Sequence, residues 1–150
     1  MFKCDWCFSQ NCDDRLIMIP RGIRNKNPFN IKKSNQSWKG KIYHPTTDDV
    51  FEQFVDIVYG IRSGLIILRT YINEYKLDTI ERIIKRFAPS SENNVDAYIK
   101  SVYKSTGFNK DYVIKFDIKD ILPLTIAICK HENGGNYITN EQVEEAWRII

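Results

Sequence analysis

An almost wholly apolar segment, Ile121-Leu122-Pro123-Leu124-Thr125-Ile126-Ala127-Ile128-Cys129-Lys130-His131, ends on Glu132, and Asn133-Gly134-Gly135 follows at once. Pro123 suits the first turn of a helix, where its missing N–H costs nothing. The Asn-Gly-Gly supplies the backbone freedom of a helix stop. The pattern predicts a buried helix that delivers a carboxylate at its C-terminal tip. The helix dipole is negative there and the surroundings are apolar, and both effects raise a carboxyl pKa. An acid kept protonated near neutral pH is what general-acid chemistry requires. Glycosidases pair such an acid with a second carboxylate, for which Asp48, Asp49, Glu52 and Glu92 are the candidates. His131 is expected at the surface, and His44 in a Tyr-His-Pro turn.

Other elements must position this acid. Residues 20–50 are rich in Asn, Pro, Gly and Lys and read as loops, with at most a short strand around Trp38–Tyr43. Beyond them the periodicity is helical. Ile61, Leu65, Leu68, Ile72 and Tyr75 predict one helix over about 57–75. Asp78-Thr79-Ile80-Glu81 opens a second, stopped by Pro89. Asn94 caps a third, which carries Val95, Tyr98, Ile99 and Val102 and ends before Gly107. The Glu132 helix is the fourth and, being apolar nearly all round, the central one. A fifth begins near Thr139. The expectation is a mainly α single domain over 18–150, with residues 1–17 as an N-terminal tail.

At 150 residues and 43% hydrophobic, the chain can bury one real core. No apolar run reaches the ~20 residues of a membrane span. The N-terminus lacks a signal-peptide pattern, so synthesis in the cytoplasm is expected. The formal net charge of +3 is unevenly spread. Arg21, Arg24, Lys26, Lys32, Lys33, Lys39 and Lys41 form a stripe without an acid, which attracts a polyanion, whether nucleic acid or cell-wall polymer. No helix-turn-helix or zinc-finger pattern accompanies it, so specific nucleic-acid reading is not expected. Cys4, Cys7 and Cys12 have part of a metal-site spacing but no clear fourth ligand. A thiol-bearing tail is the preferred reading, and no metal or cofactor is expected. Cys129 reads as a small buried filler.

Three stretches resemble known families. Pro89-x-x-Glu92-Asn93-Asn94-x-x-x-Tyr98-Ile99-x-x-Val102 resembles the segment of lytic transglycosylases and related lysozyme-like enzymes that leads into a helix bearing an active-site Tyr. The apolar helix ending Glu132-Asn133-Gly134 is similar to their Glu-Ser-Gly signature. Arg21-Gly22-Ile23-Arg24-Asn25-Lys26-Asn27-Pro28-Phe29-Asn30-Ile31, with Trp38-x-Gly40, Phe51-x-x-Phe54 and Tyr59-Gly60-Ile61-Arg62, resembles a phage and bacterial virion-protein family that begins "RGIRNNNPGNI". The same block resembles the Asn-x-Phe-Gly-Ile-Lys loop of bacterial glucosaminidases. Lys26, Phe29 and Phe87 depart from the virion-protein pattern, which has Asn, Gly and Trp there.

The resemblance implies a lysozyme-like fold that cleaves the glycan strand of peptidoglycan, with Glu132 as acid and Tyr98 holding the reacting sugar. Asn25, Asn27, Asn30, Trp38, Phe51 and Phe54 would line the groove, with Glu92 and Asn93 beside it. Because the glutamate helix follows the tyrosine helix, the order is circularly permuted relative to ordinary lysozyme-like enzymes. A phage particle or a secretion machinery would carry the protein to the wall. The alternatives are a non-catalytic virion or wall-binding protein on the same fold and a nucleic-acid-binding module.

Overall fold

Bare N–H groups in a first helical turn need acceptors, and this chain supplies one before each of its longer helices. The computed structural model describes residues 19–89 and 94–150. In it a single turn, α1 (Arg21–Arg24), precedes a loop region. Asp56 then accepts from the Val58 N–H to open α2 (Ile57–Arg69), which continues as a π-helical turn over Thr70–Glu74. Thr79, rather than Asp78, caps α3 (Ile80–Phe87). Asn94 caps α4 (Val95–Thr106) through the Ala97 N–H. Asp117 caps α5 (Ile118–Asn133), and a reciprocal Thr139–Gln142 capping box opens α6 (Asn140–Arg148). Gly107 and Gly134, at φ +76° and +71°, close α4 and α5 in the left-handed conformation that glycine takes without strain. The protein is therefore mainly α.

Two expectations need correction. The Asp117 cap starts α5 upstream of Ile121, so Pro123 lies inside the helix, not in its first turn. It removes one ladder bond, to the Lys119 carbonyl. No continuous strand forms around Trp38–Tyr43 among the described residues. Isolated antiparallel bridges join Lys32 to Phe51 and Lys41 to Phe54 instead.

α5 is central, packing against α1, α4 and α6, while α2 lies on α6 and α3 on α4. Ile121, Leu124, Ala127 and Ile128 of α5 are wholly buried among Leu65, Ile83, Val102 and Val143. The loop after α1 lies flat on α2 because Gly60 and Gly64 leave a bare stripe on that helix. A Cβ at Gly60 would overlap the Lys26 carbonyl oxygen, and one at Gly64 the Phe29 ring. Among the described residues no helix is long and apolar enough to cross a membrane.

Candidate functional site

Glu132 occupies the last turn of α5, and its carboxyl is held from two sides. Asn30 Nδ2 donates to Oε1 at 2.8 Å, and the Tyr98 hydroxyl donates to Oε2 at 2.8 Å. Burial raises the carboxyl above the ordinary glutamate value of 4.5. The two hydrogen bonds and the neighbouring His131 act the other way, and burial outweighs them. Tyr98 is only 1% exposed. Burial first, and then the charge of Glu132, push its hydroxyl well above 10, so it stays a donor. The tyrosine ring also stacks on His131, with centroids 3.9 Å apart. His131 is thus part of the site and half-buried, not a bystander at the surface.

The loop from Asn25 to Ile31 places Asn30. Asn27 is fully buried and clamps the chain, donating to the Ile31 and Glu52 carbonyls at 2.9 Å each and accepting from the Ile31 N–H at 3.0 Å. Asn25 donates to Asp48 and accepts from Gln53. Asn30 itself sits at φ +54°, a left-handed position that asparagine tolerates. Asn133 completes the frame by donating to the Pro28 and Cys129 carbonyls. Of the three loop asparagines expected in a groove, only Asn30 faces one; Asn25 and Asn27 hold the loop's shape.

Glu132 and Asn30 lie on the wall of a cleft of about 790 Å³. Phe51, Tyr71 and Phe87 give it aromatic surface, and Arg21, Lys32 and Arg86 give it positive charge. Glu132 is the one carboxylate among its described lining residues. Phe51 takes the expected position, beneath the Arg21 guanidinium at 4.7 Å. Phe54 does not: it is 2% exposed, in the interior. Trp38 is half-buried and does not line the cleft, nor does Tyr98, which meets Glu132 from the protein side. Glu92 and Asn93, like Cys4, Cys7 and Cys12, lie outside the described residues.

The candidate second carboxylates have other work. Arg21 grips Asp48 with two bonds, at 2.6 and 2.8 Å, and holds that carboxyl well below the usual range. Glu52 is buried against Lys41 at 3.0 Å. Asp49 is exposed and off the cleft wall. The same pairings draw Arg21 and Lys41 out of the basic stripe, and Lys33 and Lys26 bond to Thr46 and the Val55 carbonyl.

Gly22 carries part of this geometry. The amide oxygens of Asn30 and Asn133 are buried without a conventional partner. Both crowd the Gly22 Cα, 2.6 and 2.5 Å from where a Cβ would stand. Gly22→Ala is expected to push the Asn30 amide off Glu132. With that donor gone, the Glu132 pKa should rise further, which carboxyl-carbon NMR titration of the variant would register. An unchanged titration would show that Asn30 moves without losing its bond.

No family model matches the chain. The chain is similar to Protein P5 of Pseudoalteromonas phage PM2, at 37% identity over 131 residues, 85% of this chain and 79% of that protein.

Proposed function

Because this chain belongs to the family of Protein P5 of phage PM2, we propose that it is a phage protein that acts on the bacterial cell wall by cleaving the glycan strand of peptidoglycan. The comparison supports the phage part of this reading. The chemical part rests on one observation: a buried glutamate with a raised pKa on the wall of an aromatic cleft, held by Asn30 and Tyr98.

In this reading the sugar chain lies along Phe51, Phe87 and Tyr71, whose faces suit the apolar faces of sugars. Glu132, protonated, gives its proton to the glycosidic oxygen as the bond to the anomeric carbon breaks. The carboxylate left behind then takes a proton from the sugar's own 6-hydroxyl, whose oxygen closes on the anomeric carbon. One acid suffices for this lytic route, and the described cleft offers one. Tyr98 and Asn30 are positioning residues: they fix the carboxyl and stabilise its ionised form between the two proton transfers. On this reading the glutamate helix follows the tyrosine helix in a permuted order, and α4 and α5 pack side by side.

The test is incubation of purified protein with sacculi, followed by chromatography for soluble muropeptides with 1,6-anhydro ends. Tyr98→Phe sharpens it. The hydroxyl lowers the Glu132 pKa, so its removal should raise that pKa. Activity needs the protonated acid, so the alkaline limb of the pH profile should move upward. A limb that stays put would detach Tyr98 from the chemistry.

The second reading, a non-catalytic virion or wall-binding protein, is favoured by the phage relationship and by the lack of a second acid among the described lining residues. It expects sacculus binding without release of soluble fragments.

A further inference from the structure

The three cations on the cleft wall are not equivalent. Arg21 has Nε and Nη2 committed to Asp48, so its charge is largely neutralised in place. Lys32 pairs with Phe51 through its backbone and is not without a partner. Arg86 is different. It projects from the last turn of α3, and its guanidinium lies 4.7 Å from the Tyr75 ring centroid and 5.8 Å from that of Tyr71. Tyr71 belongs to the π-helical turn and Tyr75 caps its end, and the two rings stack with centroids 6.1 Å apart. Among the described residues no carboxylate pairs with Arg86.

A guanidinium laid against aromatic faces is attracted by the ring quadrupole and held in orientation; part of its donor capacity goes to the Tyr71 side chain, and the other N–H edges can still donate. Those edges match a carboxylate in two-bond geometry. Glu132 lines the same cleft, and its two carboxyl oxygens are already engaged by Asn30 and Tyr98. A guanidinium also donates to neutral sugar hydroxyls, but a carboxylate alone adds opposite charge and accepts in two-bond geometry.

We propose that Arg86 binds a carboxylate carried as a substituent on the glycan, so that the cleft selects an acidic glycan over a neutral one of the same length. In peptidoglycan these carboxylates belong to the stem peptides. This deepens the glycan reading and rests on it, yet it concerns binding and can be measured apart from cleavage. Arg86 is then a specificity residue, separate from the acid that would do the chemistry.

The experiment uses the full chain carrying Glu132→Gln, so that no turnover disturbs the measurement. Three soluble probes are titrated: a disaccharide-tetrapeptide muropeptide, the same compound with its carboxylates amidated, and chitotetraose. The charged muropeptide should bind about tenfold tighter than the other two. Arg86→Met, which keeps an unbranched side chain of similar volume and removes the guanidinium from the tyrosine rings, should abolish that difference and affect chitotetraose binding far less. Arg86→Lys should restore part of it. If Arg86→Met does not fold, the comparison of charged with amidated muropeptide still decides. Equal affinity for all three probes, or no binding of any, overturns the proposal. So does tighter binding of a single-stranded DNA oligonucleotide that displaces the muropeptide, which would make the cleft a nucleic-acid site. Intact sacculi alongside charge-selective binding would instead defeat the cleavage reading and leave this one standing.

Discussion

Glu132→Gln is expected to lower release of soluble muropeptides by roughly a thousandfold, the usual scale for removing a positioned general acid. The substitution keeps the shape of the side chain and the acceptor for Asn30, turns the Tyr98 contact round so that the amide NH2 donates to the tyrosine oxygen, and removes the transferable proton. It is not expected to unfold the protein. The Glu132 carboxyl is raised above 4.5 because burial penalises its charged form. A raised folded-state pKa contributes stability that is fully present below the unfolded value and is lost as pH rises through the folded value. Ionised Glu132 is therefore a destabilising group at neutral and alkaline pH, and a neutral amide escapes that cost. The melting temperature of the variant should match the parent at pH 4 and exceed it at pH 8. Full muropeptide release by Glu132→Gln would end the enzymatic reading. A variant that melted lower than the parent at pH 8 would show that Glu132 is a structural hydrogen-bonding group first.

Much of this arrangement is legible in the sequence, and the misses have physical causes. Caps such as Asn94 and Thr139 act within a turn of their own position, so they mark helix starts without tertiary information. Asp117 is such a cap as well, but Pro123 offered a competing start, and the competition placed the beginning of α5 too late. Glu132 stood out because an acid after a long apolar run is rare unless something uses it. His131 was misplaced because neighbouring residues on a helix point about 100° apart. One tyrosine nevertheless reaches both, stacking its ring on His131 and extending its hydroxyl to Glu132. Asn25, Asn27 and Asn30 look alike in a loop, and only the tertiary position of Glu132 and of the 48–54 segment tells them apart. Arg86, in the last turn of a helix, reads as an ordinary dipole-compensating cation, and nothing local reveals the cleft beside it.

Two residues that depart from the pattern this sequence resembles meet in three dimensions. Phe29, where that pattern has glycine, fills its space completely and meets Phe87, where the pattern has tryptophan, edge to face at 6.0 Å. Lys26 occupies a left-handed position at φ +55°, a conformation that the pattern's asparagine takes more readily.

Gly60→Ala should be the most destabilising single substitution outside the apolar core. Intrinsic propensity alone predicts the opposite, because alanine is better than glycine inside a helix by about 1 kcal/mol. The new methyl, however, would overlap the Lys26 carbonyl oxygen, which is backbone in a loop already clamped by Asn25 and Asn27. Overpacking of this kind costs about 3 kcal/mol, so the clash outweighs the propensity gain. A net loss near 2 kcal/mol lowers the melting temperature by roughly 6 °C for a chain of this size. Gly64→Ala provides the contrast, since its methyl meets a side chain, the Phe29 ring. Phe29→Leu should therefore relieve Gly64→Ala, with a coupling of about 1 kcal/mol or more, and should do nothing for Gly60→Ala. Because the same loop carries Asn30, both glycine variants should also disturb the Asn30–Glu132 contact. Equal rescue of both by Phe29→Leu would mean that the loop rides on α2 through the phenylalanine alone. A Gly60→Ala protein as stable as the parent would mean that the loop yields, and that the glycine stripe is not what fixes Asn30 against the acid.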